Sequence, residues 1–339
     1  MSKTYRAVLV GTGSICDAHL RAVESTNGRV ELVAAVDLDQ QRVDEFCKRA
    51  KVPHAFTDFD EMLKTIGPDL VLIATPPSSH APMSIAAMEA GAWVLCEKPL
   101  CGSLAELDQI RAAEVRTGCY TGCVFQMRFA SSHLHLKRLA DGGQLGRPLV
   151  GVCNTLWYRD AAYYAVPWRG RWETELGGPT MGLGIHAMDH FLDLFGEWEE
   201  VRSMAGTLDR DIEVEDVSMA LVRFSNGAFG SIVNSALSPR QDTYIRLDYR
   251  PRRTIPYSRR GKAFRPMSAP RTELSSTPSS ATWTTGNAHT RRASKPAAPS
   301  SCSPLSTNLP SPTNRLHAAP LSTATRFIAI LMAGEPTNS

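Results

Sequence analysis

The chain has 339 residues, with 37 Lys and Arg against 34 Asp and Glu and a formal net charge of +3 at pH 7. The length suits about two domains, and the near balance of charge gives no reason to expect a nucleic-acid or membrane partner. No run of about 20 apolar residues is present, and the N-terminus enters a strand directly, so neither a transmembrane segment nor a signal peptide is expected. The eight scattered cysteines form no zinc pattern, which favours reduced thiols in a cytoplasmic protein without a metal site.

The first 125 residues alternate short apolar runs with helical periods, which is typical of a parallel sheet with crossover helices. The runs predict strands at Ala7–Val10, Val30–Val36, Ala55–Phe56, Leu70–Ala74 and Trp93–Cys96, and a sixth strand near Phe125–Phe129. Helices are predicted over Ser14–Ser25, Asp39–Ala50, Asp58–Ile66 and His80–Ala90. Because the strands are apolar without interruption, both faces of the sheet should be covered. Residues 1–125 are therefore predicted to form a doubly wound α/β domain of the Rossmann type.

A glycine-rich turn with the pattern G-x-G-x-x-C follows the first strand, from Gly11 to Cys16. Gly11 and Gly13 permit a tight turn and a close approach of a pyrophosphate to the N-terminus of the next helix. Ser14 and Ile15 lie in the same turn and are further candidates for cofactor contact. The pattern alone is weak, but its place between a predicted strand and a predicted helix favours a dinucleotide site.

An acidic residue, Asp37, ends the second predicted strand. A carboxylate at this position can bind the ribose hydroxyls of NAD and would repel the 2′-phosphate of NADP. The alternative is that Asp37 only caps the helix that follows. Arg42 lies nearby in that helix and could accommodate a phosphate, so NAD is favoured while NADP stays possible.

The fourth predicted strand ends in Thr75-Pro76-Pro77, followed by Ser79 and His80. The prolines end the strand and Ser79 could cap the next helix, so most of this stretch has an adequate structural explanation. Ligands bind beyond the carboxyl ends of strands in open α/β sheets, which makes Thr75 and Pro76 candidate contacts on the nicotinamide side. For His80, cofactor contact and a simple helix start are equally open.

The fifth predicted strand stops at Glu97, Lys98 and Pro99. An ammonium group at this edge of the sheet can hydrogen-bond a substrate hydroxyl and stabilise negative charge on its oxygen as hydride leaves. Glu97 is a further candidate on the cofactor side. The alternative is a solvated charge pair in a loop.

Together with the GTGSIC turn, the TPP segment and EKP, the later stretch GGPTMGLGIHAMD, residues 177–189, resembles the Gfo/Idh/MocA oxidoreductase family over about residues 5–249. The family includes inositol and glucose-fructose dehydrogenases. The resemblance implies a Rossmann domain followed by an α+β domain, residues 126–249, with an open-faced and largely antiparallel sheet. It also implies homo-oligomers, an implication that the C-terminal stretch described below weakens.

The resemblance assigns Lys98 as the catalytic lysine and His186 as the general acid/base. An imidazole titrates near neutral pH and can take the proton of a hydroxyl that is being oxidised. Many family members carry Asp or Asn four residues before the histidine, where this chain has Gly182. Asp189, three residues after His186, is a further candidate on the substrate side, where it would orient the site, or a packing residue.

The implied function is NAD(P)-dependent oxidation of a secondary hydroxyl of a sugar, cyclitol or related polyol. The alternative is a non-catalytic dinucleotide-binding or regulatory protein of the same fold. Substrate contacts are expected from Arg128, near the cleft, and from Trp168 and Arg169 in a loop rich in aromatic and guanidinium groups. The aromatic side chains of that loop could equally serve only to pack it down.

Beyond residue 200 the alternation of apolar and polar residues first continues and is then lost. Val217–Phe224 and Ala228–Val233 alternate around Asn226-Gly227, a strong hairpin signal. Residues 251–325 contain one acidic residue, Glu273, against eleven Lys and Arg, with many Ser, Thr and Pro.

Residues 250–325 are predicted to be disordered by composition, and residues 326–339 resemble a short helical end. One interpretation is a genuine basic tail. The favoured hypothesis is that this stretch is translated out of frame, so that the second sheet is incomplete after about residue 249.

Overall fold

A computed structural model describes residues 3–251 of the chain. The first sheet contains β1 (Tyr5–Val10), β2 (Val30–Val36), β3 (His54–Phe56), β4 (Leu70–Ile73), β5 (Trp93–Cys96) and β6 (Thr121–Cys123). The helices between them are α1 (Cys16–Glu24), α2 (Gln40–Ala50), α3 (Phe59–Ile66), α4 (His80–Glu89) and α5 (Leu104–Thr117). The strands are parallel in the order β3-β2-β1-β4-β5-β6. The order reverses between β1 and β4, which is where such sheets bind ligands.

Both faces of this sheet are buried, as the uninterrupted apolar strands predict. Val8 and Val10 belong to one apolar cluster, whereas Ala7 and Leu9 on the same strand belong to another. Successive side chains of a strand point to opposite faces, so the two clusters are the two covered faces of one sheet. The predicted doubly wound fold is confirmed.

The predicted position of the sixth strand was wrong. β6 covers Thr121–Cys123, and Gln126–Phe129 forms a short 3₁₀ turn. The Gly118 cap in the left-handed conformation ends α5 three residues before Thr121, so the chain enters the sheet earlier than the apolar pattern suggests. Arg128 therefore belongs to a turn that faces the second domain.

The second sheet contains β7 (Arg147–Leu156), β8 (Trp198–Gly206), β9 (Val217–Phe224), β10 (Phe229–Ser235) and β11 (Asp242–Arg250). Its order is β11-β7-β10-β9-β8, with β7 and β10 parallel and the other neighbours antiparallel. The helices are α6 (Ser131–Asp141), α7 (Ala161–Tyr164), α8 (Trp172–Glu175) and α9 (Ile185–Phe195), and a π-helical turn covers Thr180–Gly184. The predicted α+β domain and the hairpin at Asn226-Gly227 are confirmed.

One face of the second sheet packs against α9 and the other face is exposed. In the core between them, Phe191 and Phe195 stack on each other, and Phe224 meets both rings edge to face. Gly151 and Gly230 lie beneath the Phe191 ring, where a β-carbon would clash. On the opposite face Met219 and Leu221 are exposed, which accounts for the alternating pattern of β9.

The predictions of a disordered stretch, of a shift of reading frame and of a short helical end concern residues that lie almost wholly outside the described range. Within residues 3–251, no helix is both long and apolar enough to cross a bilayer. The same residues contain no group of three or more His, Cys, Asp or Glu side chains arranged to hold a metal ion.

Candidate functional site

The glycine-rich turn after β1 packs closely against the loop after β4 on one side and is open on the other. Gly11 has a φ of +94°, and a β-carbon there would lie 2.5 Å from the Ala74 carbonyl oxygen, so the position requires glycine. A β-carbon at Gly13 would have no heavy atom within 4 Å, which leaves that backbone open to a ligand. Helix α1 begins at Cys16, just beyond Ser14 and the exposed Ile15. The turn therefore fits a pyrophosphate placed at a helix N-terminus.

The Asp37 carboxylate lies at the carboxyl end of β2 and is held by the glycine-rich turn. Its Oδ2 accepts hydrogen bonds from the backbone N and the hydroxyl of Thr12, both at 2.8 Å. Asp39, and not Asp37, caps α2 by accepting from the Arg42 backbone N. Burial opposes ionisation of Asp37, but the hydrogen bonds from Thr12 and Asp39 and the charge of Arg42 outweigh it, so its pKa is lowered.

Arg42 is engaged by two carboxylates of its own neighbourhood. Its Nη2 lies 3.3 Å from Asp37 Oδ1, and its Nε lies 3.3 Å from Asp39 Oδ2. A 2′-phosphate would have to compete with both carboxylates for this guanidinium. The residues at this end of the site thus fit NAD better than NADP.

Hydrogen bonds among its own residues hold the loop after β4 in place. The Thr75 and Ser79 hydroxyls lie 2.7 Å apart, and Ser79 donates to the Pro76 carbonyl rather than capping α4. His80 begins α4 and is fully buried, with Nδ1 2.6 Å from the Pro99 carbonyl and Nε2 2.8 Å from the Thr75 carbonyl. Burial lowers the pKa of His80, and its two carbonyl partners act in the opposite direction. His80 therefore ties the loop after β4 to the loop after β5.

Glu97 and Lys98 point to different partners. His19 Nε2 donates to Glu97 Oε1 at 3.1 Å, and the Lys98 backbone N donates to Glu97 Oε2 at 3.3 Å. The Lys98 ammonium donates to the carbonyl of Gly182 at 3.0 Å. Gly182 lies in the turn that precedes α9, so the strand-end lysine and the start of the histidine-bearing helix are brought together.

The charges of Lys98 and His186 are coupled. Burial lowers the pKa of Lys98, with Arg169 adding to the effect and Glu97 opposing it. Burial and then the charge of Lys98 lower the pKa of His186 to about 4. The His186 Nδ1 is buried without a hydrogen-bond partner among the described residues, and the ring lies edge to face with Phe125. The His186 imidazole is therefore neutral at pH 7.

Arg128 and Asp189 contact each other. Arg128 Nε and Nη2 donate to the two oxygens of Asp189, each at 2.6 Å, and Nη1 donates to Asp193 at 3.0 Å. Asp193 also accepts from His133 at 2.8 Å. Asp189 is 1% exposed, and each of its oxygens accepts one hydrogen bond from Arg128. The substrate contacts predicted for Arg128 and Asp189 stay predictions.

Trp168 and Arg169 belong to a compact cluster of aromatic and charged groups. The Arg169 guanidinium lies 4.3 Å from the Trp168 ring centroid and 4.0 Å from that of Tyr163. Arg169 Nη1 donates to Glu175 Oε1 at 2.9 Å, and the Gly170 backbone N donates to Glu175 Oε2 at 2.6 Å. Burial raises the pKa of Glu175, opposed by Gly170 and Arg169.

Two residues of this site, His19 and Glu175, do not stand out in the sequence. His19 lies three residues after Cys16, and both are buried residues of α1, so helical spacing was an available signal. Glu175 ends the four-residue helix α8, and nothing in its local sequence predicts burial. Its partners, Arg169 and Gly170, lie in a loop whose conformation the apolar pattern of the sequence does not predict.

Two family models match most of the described chain. The model described as an oxidoreductase family with an NAD-binding Rossmann fold covers residues 5–125, and the GFO/IDH/MocA C-terminal domain covers residues 133–250.

Several dehydrogenases are similar in sequence or structure. Inositol 2-dehydrogenase of Salmonella typhimurium is 30% identical over 152 residues, which are 43% of this chain and 44% of that protein. Myo-inositol 2-dehydrogenase of Thermotoga maritima is 27% identical over 240 residues, 68% of each chain. The WlbA dehydrogenase of Chromobacterium violaceum, solved with NADH and UDP-GlcNAcA, is 30% identical with a TM-score of 0.69 and matches 73% of this chain and 72% of its own.

The chain spans less than half the length of several inositol 2-dehydrogenases that it matches. Even so, the two family models and the WlbA structure agree on both domains. The chain belongs to the Gfo/Idh/MocA oxidoreductase family, and its N-terminal domain is an NAD-binding Rossmann domain.

Proposed function

We propose that the protein is an NAD-dependent dehydrogenase that oxidises a secondary hydroxyl of a sugar, cyclitol or related polyol. The observation that carries the proposal is the contact of the Lys98 ammonium with the Gly182 carbonyl, four residues before His186. It brings the strand-end lysine of the Rossmann domain to the turn that leads into the helix bearing His186. The inositol dehydrogenases and the UDP-GlcNAcA-bound WlbA structure support the substrate class.

In this proposal Lys98 binds the oxygen of the hydroxyl to be oxidised and stabilises negative charge as it develops there. His186 is neutral at pH 7 because its pKa is lowered to about 4, so it can accept the hydroxyl proton. The proton goes to Nε2, since Nδ1 is buried. Bound NAD supplies the hydride acceptor.

The cofactor would be held along the carboxyl ends of the strands. Gly11, Gly13, Ser14 and Ile15 would contact the pyrophosphate region through an open backbone, and Asp37, with Arg42 behind it, would bind the adenosine ribose. Toward the nicotinamide the candidate contacts are Thr75, Pro76, Glu97 and Lys98, whereas His80, fully buried with both ring nitrogens on backbone carbonyls, would support these loops from behind. Trp168, Arg169, Arg128 and Asp189 are the candidates on the substrate side.

The proposal includes a reducing, cytoplasmic setting. The seven cysteines of the described residues are all free, and six of them are buried. Such thiols are typical of proteins kept in the cytosol.

The test is reduction of NAD, followed at 340 nm, across a panel of myo-inositol, other cyclitols, aldoses and sugar nucleotides such as UDP-GlcNAcA. We expect turnover with at least one neutral polyol or sugar. Parallel titration with NADH, read by fluorescence, reports cofactor binding without chemistry. Tight NADH binding with no reduction across the panel would favour the regulatory alternative.

A further inference from the structure

Two groups from the second domain, the Gly182 backbone and the Glu175 carboxylate, line the part of the site beside Lys98, which we call the Lys98 corner. One is the backbone of Gly182, whose carbonyl accepts from the Lys98 ammonium at 3.0 Å. The other is the Glu175 carboxylate, because a β-carbon on Gly182 would lie 3.5 Å from Glu175 Oε1 and within 4 Å of nothing else. Glu175 thus faces the same corner as Lys98.

Space does not require glycine at position 182. At Gly178 a β-carbon would clash with the Glu215 carbonyl, and at Gly184 it would clash with the Asn234 side chain. At Gly182 neither a clash nor a positive φ is found. A side chain would therefore fit at this position.

Charge restricts which side chain could stand at position 182. Glu175 is 4% exposed and is held in place by Gly170 and Arg169. A second carboxylate at position 182 would lie against Glu175 Oε1 in a site with little water, where like charges repel strongly. One carboxylate can occupy this corner, and here it comes from α8.

We propose that Glu175 is the substrate-facing carboxylate of this site, which accepts a hydrogen bond from a substrate hydroxyl beside the one that Lys98 binds. The inference rests on the proposed dehydrogenase function and deepens it. It predicts a substrate with at least two neighbouring hydroxyls. Anionic groups next to the reacting carbon are disfavoured by the same carboxylate.

The first test is a set of four variants assayed with the best substrate of the panel: Glu175→Gln, Gly182→Asn, Gly182→Asp and the double variant Glu175→Gln with Gly182→Asp. Gly182→Asn matches Gly182→Asp in size but lacks its charge. We expect kcat/KM to be at least about tenfold lower for Gly182→Asp than for Gly182→Asn, because only the former puts two carboxylates together. We expect the double variant to exceed Glu175→Gln alone.

A second measurement does not need a substrate. Glu175 raises the pKa of Lys98, and removing its charge should lower it. The pH dependence of Lys98 acetylation by acetic anhydride, read by mass spectrometry, should shift downward in Glu175→Gln and upward in Gly182→Asp. Glu173→Gln changes an exposed carboxylate of the same helix and should leave the profile unchanged.

The outcomes separate the two proposals. Shifted acetylation profiles without any substrate turnover would support the Glu175–Lys98 corner and count against the dehydrogenase function. Turnover with unshifted profiles, equal kcat/KM for the two Gly182 variants and no gain in the double variant would overturn the role of Glu175. Melting temperature and NADH affinity show whether Glu175→Gln keeps its fold, and the Gly182 variants decide the question if it does not.

Discussion

The two domains build their halves of the site in different ways. In the Rossmann domain the candidate residues follow the carboxyl ends of parallel strands, so that topology alone gathers Asp37, Thr75 and Lys98 at one edge. In the second domain the candidates are fixed by buried ion pairs, of which Arg128–Asp189 and Arg169–Glu175 are the main ones. Changes in the first half should therefore affect binding and chemistry, and changes in the second half should also affect stability.

The largest expected effect is on turnover, from Lys98→Ala. We expect kcat to fall by about 100- to 1,000-fold, because the variant loses the group that stabilises charge on the reacting oxygen. The melting temperature should be unchanged or higher, since burial already disfavours the Lys98 charge. Steady-state kinetics and NADH titration check this, with Lys64→Ala, an exposed lysine of α3, as control. Unchanged turnover would remove Lys98 from the mechanism.

The second domain should respond in stability. Asp189→Asn removes the buried carboxylate that accepts two hydrogen bonds from Arg128 and leaves the half-buried guanidinium only its contact with Asp193. The change should cost about 3 kcal/mol of unfolding free energy. The control is Glu89→Gln, which breaks the exposed pair with Arg116 at the same distance of 2.6 Å and should cost less than about 1 kcal/mol. Urea unfolding measures both. Equal costs would mean that burial of the Arg128–Asp189 pair contributes nothing.

The same contrast explains how much the sequence could predict. Five of the six Rossmann strands, the hairpin and the strand-end positions of Asp37 and Lys98 follow from local apolar patterns and turn residues. The prediction of a strand at Phe125–Phe129 was wrong because these five residues alternate apolar and polar side chains, and so short a run fits a strand or a turn equally well. In the turn that these residues form, Arg128 meets Asp189, 61 residues away, and no local pattern encodes that pairing.

Glu175 shows the same limit within the site itself. Its neighbours in sequence suggest an exposed acidic helix end, and only the fold brings it to Gly182 and Lys98. His186 stood out by resemblance, but its lowered pKa depends on burial and on a charge from the other domain. Motif spacing can identify such residues but cannot give their environment.

The next largest effect is expected on the affinity for the cofactor, from Asp37→Ala. Asp37→Ala should weaken NADH binding by about tenfold or more through the loss of charged hydrogen bonds. NADPH should lose less, because Arg42 is freed from one of its two carboxylates. Fluorescence titration with both cofactors measures the ratio. Asp58→Ala, which removes the cap of α3, serves as control, and equal losses for the two cofactors would argue against a ribose contact.

The electrostatic coupling between Lys98 in the first domain and His186 in the second can be measured directly as the pKa of His186. With a pKa of about 4 rather than 6.5, the imidazole should stay neutral as the pH falls from 7 to 5, so kcat/KM should hold until the pH nears 4. In Lys98→Met the pKa should rise, because a positive charge that disfavours the imidazolium is gone. NMR of labelled histidine follows this without turnover, with Lys64→Met as control. An unmoved His186 signal would contradict the coupling.

The same shift sets the sign of a stability effect. Unfolded histidine binds a proton below about pH 6.5, whereas folded His186 does so only near pH 4. Between these values the unfolded state binds more protons, so the contribution of His186 to stability falls as the pH falls. The loss should be absent in a His186→Gln variant.

The smallest effect on a single chain is expected on the open face of the second sheet, which neither half of the site uses. Leu221 is 66% exposed and lies beside Met219 on β9, so Leu221→Glu should change unfolding free energy by less than about 0.5 kcal/mol. If the homo-oligomer implied by the family forms on this face, a buried carboxylate there would separate its subunits. Light scattering on the eluted protein would then show a lower mass for Leu221→Glu than for the unmodified chain. Equal masses would mean that this face does not hold subunits together.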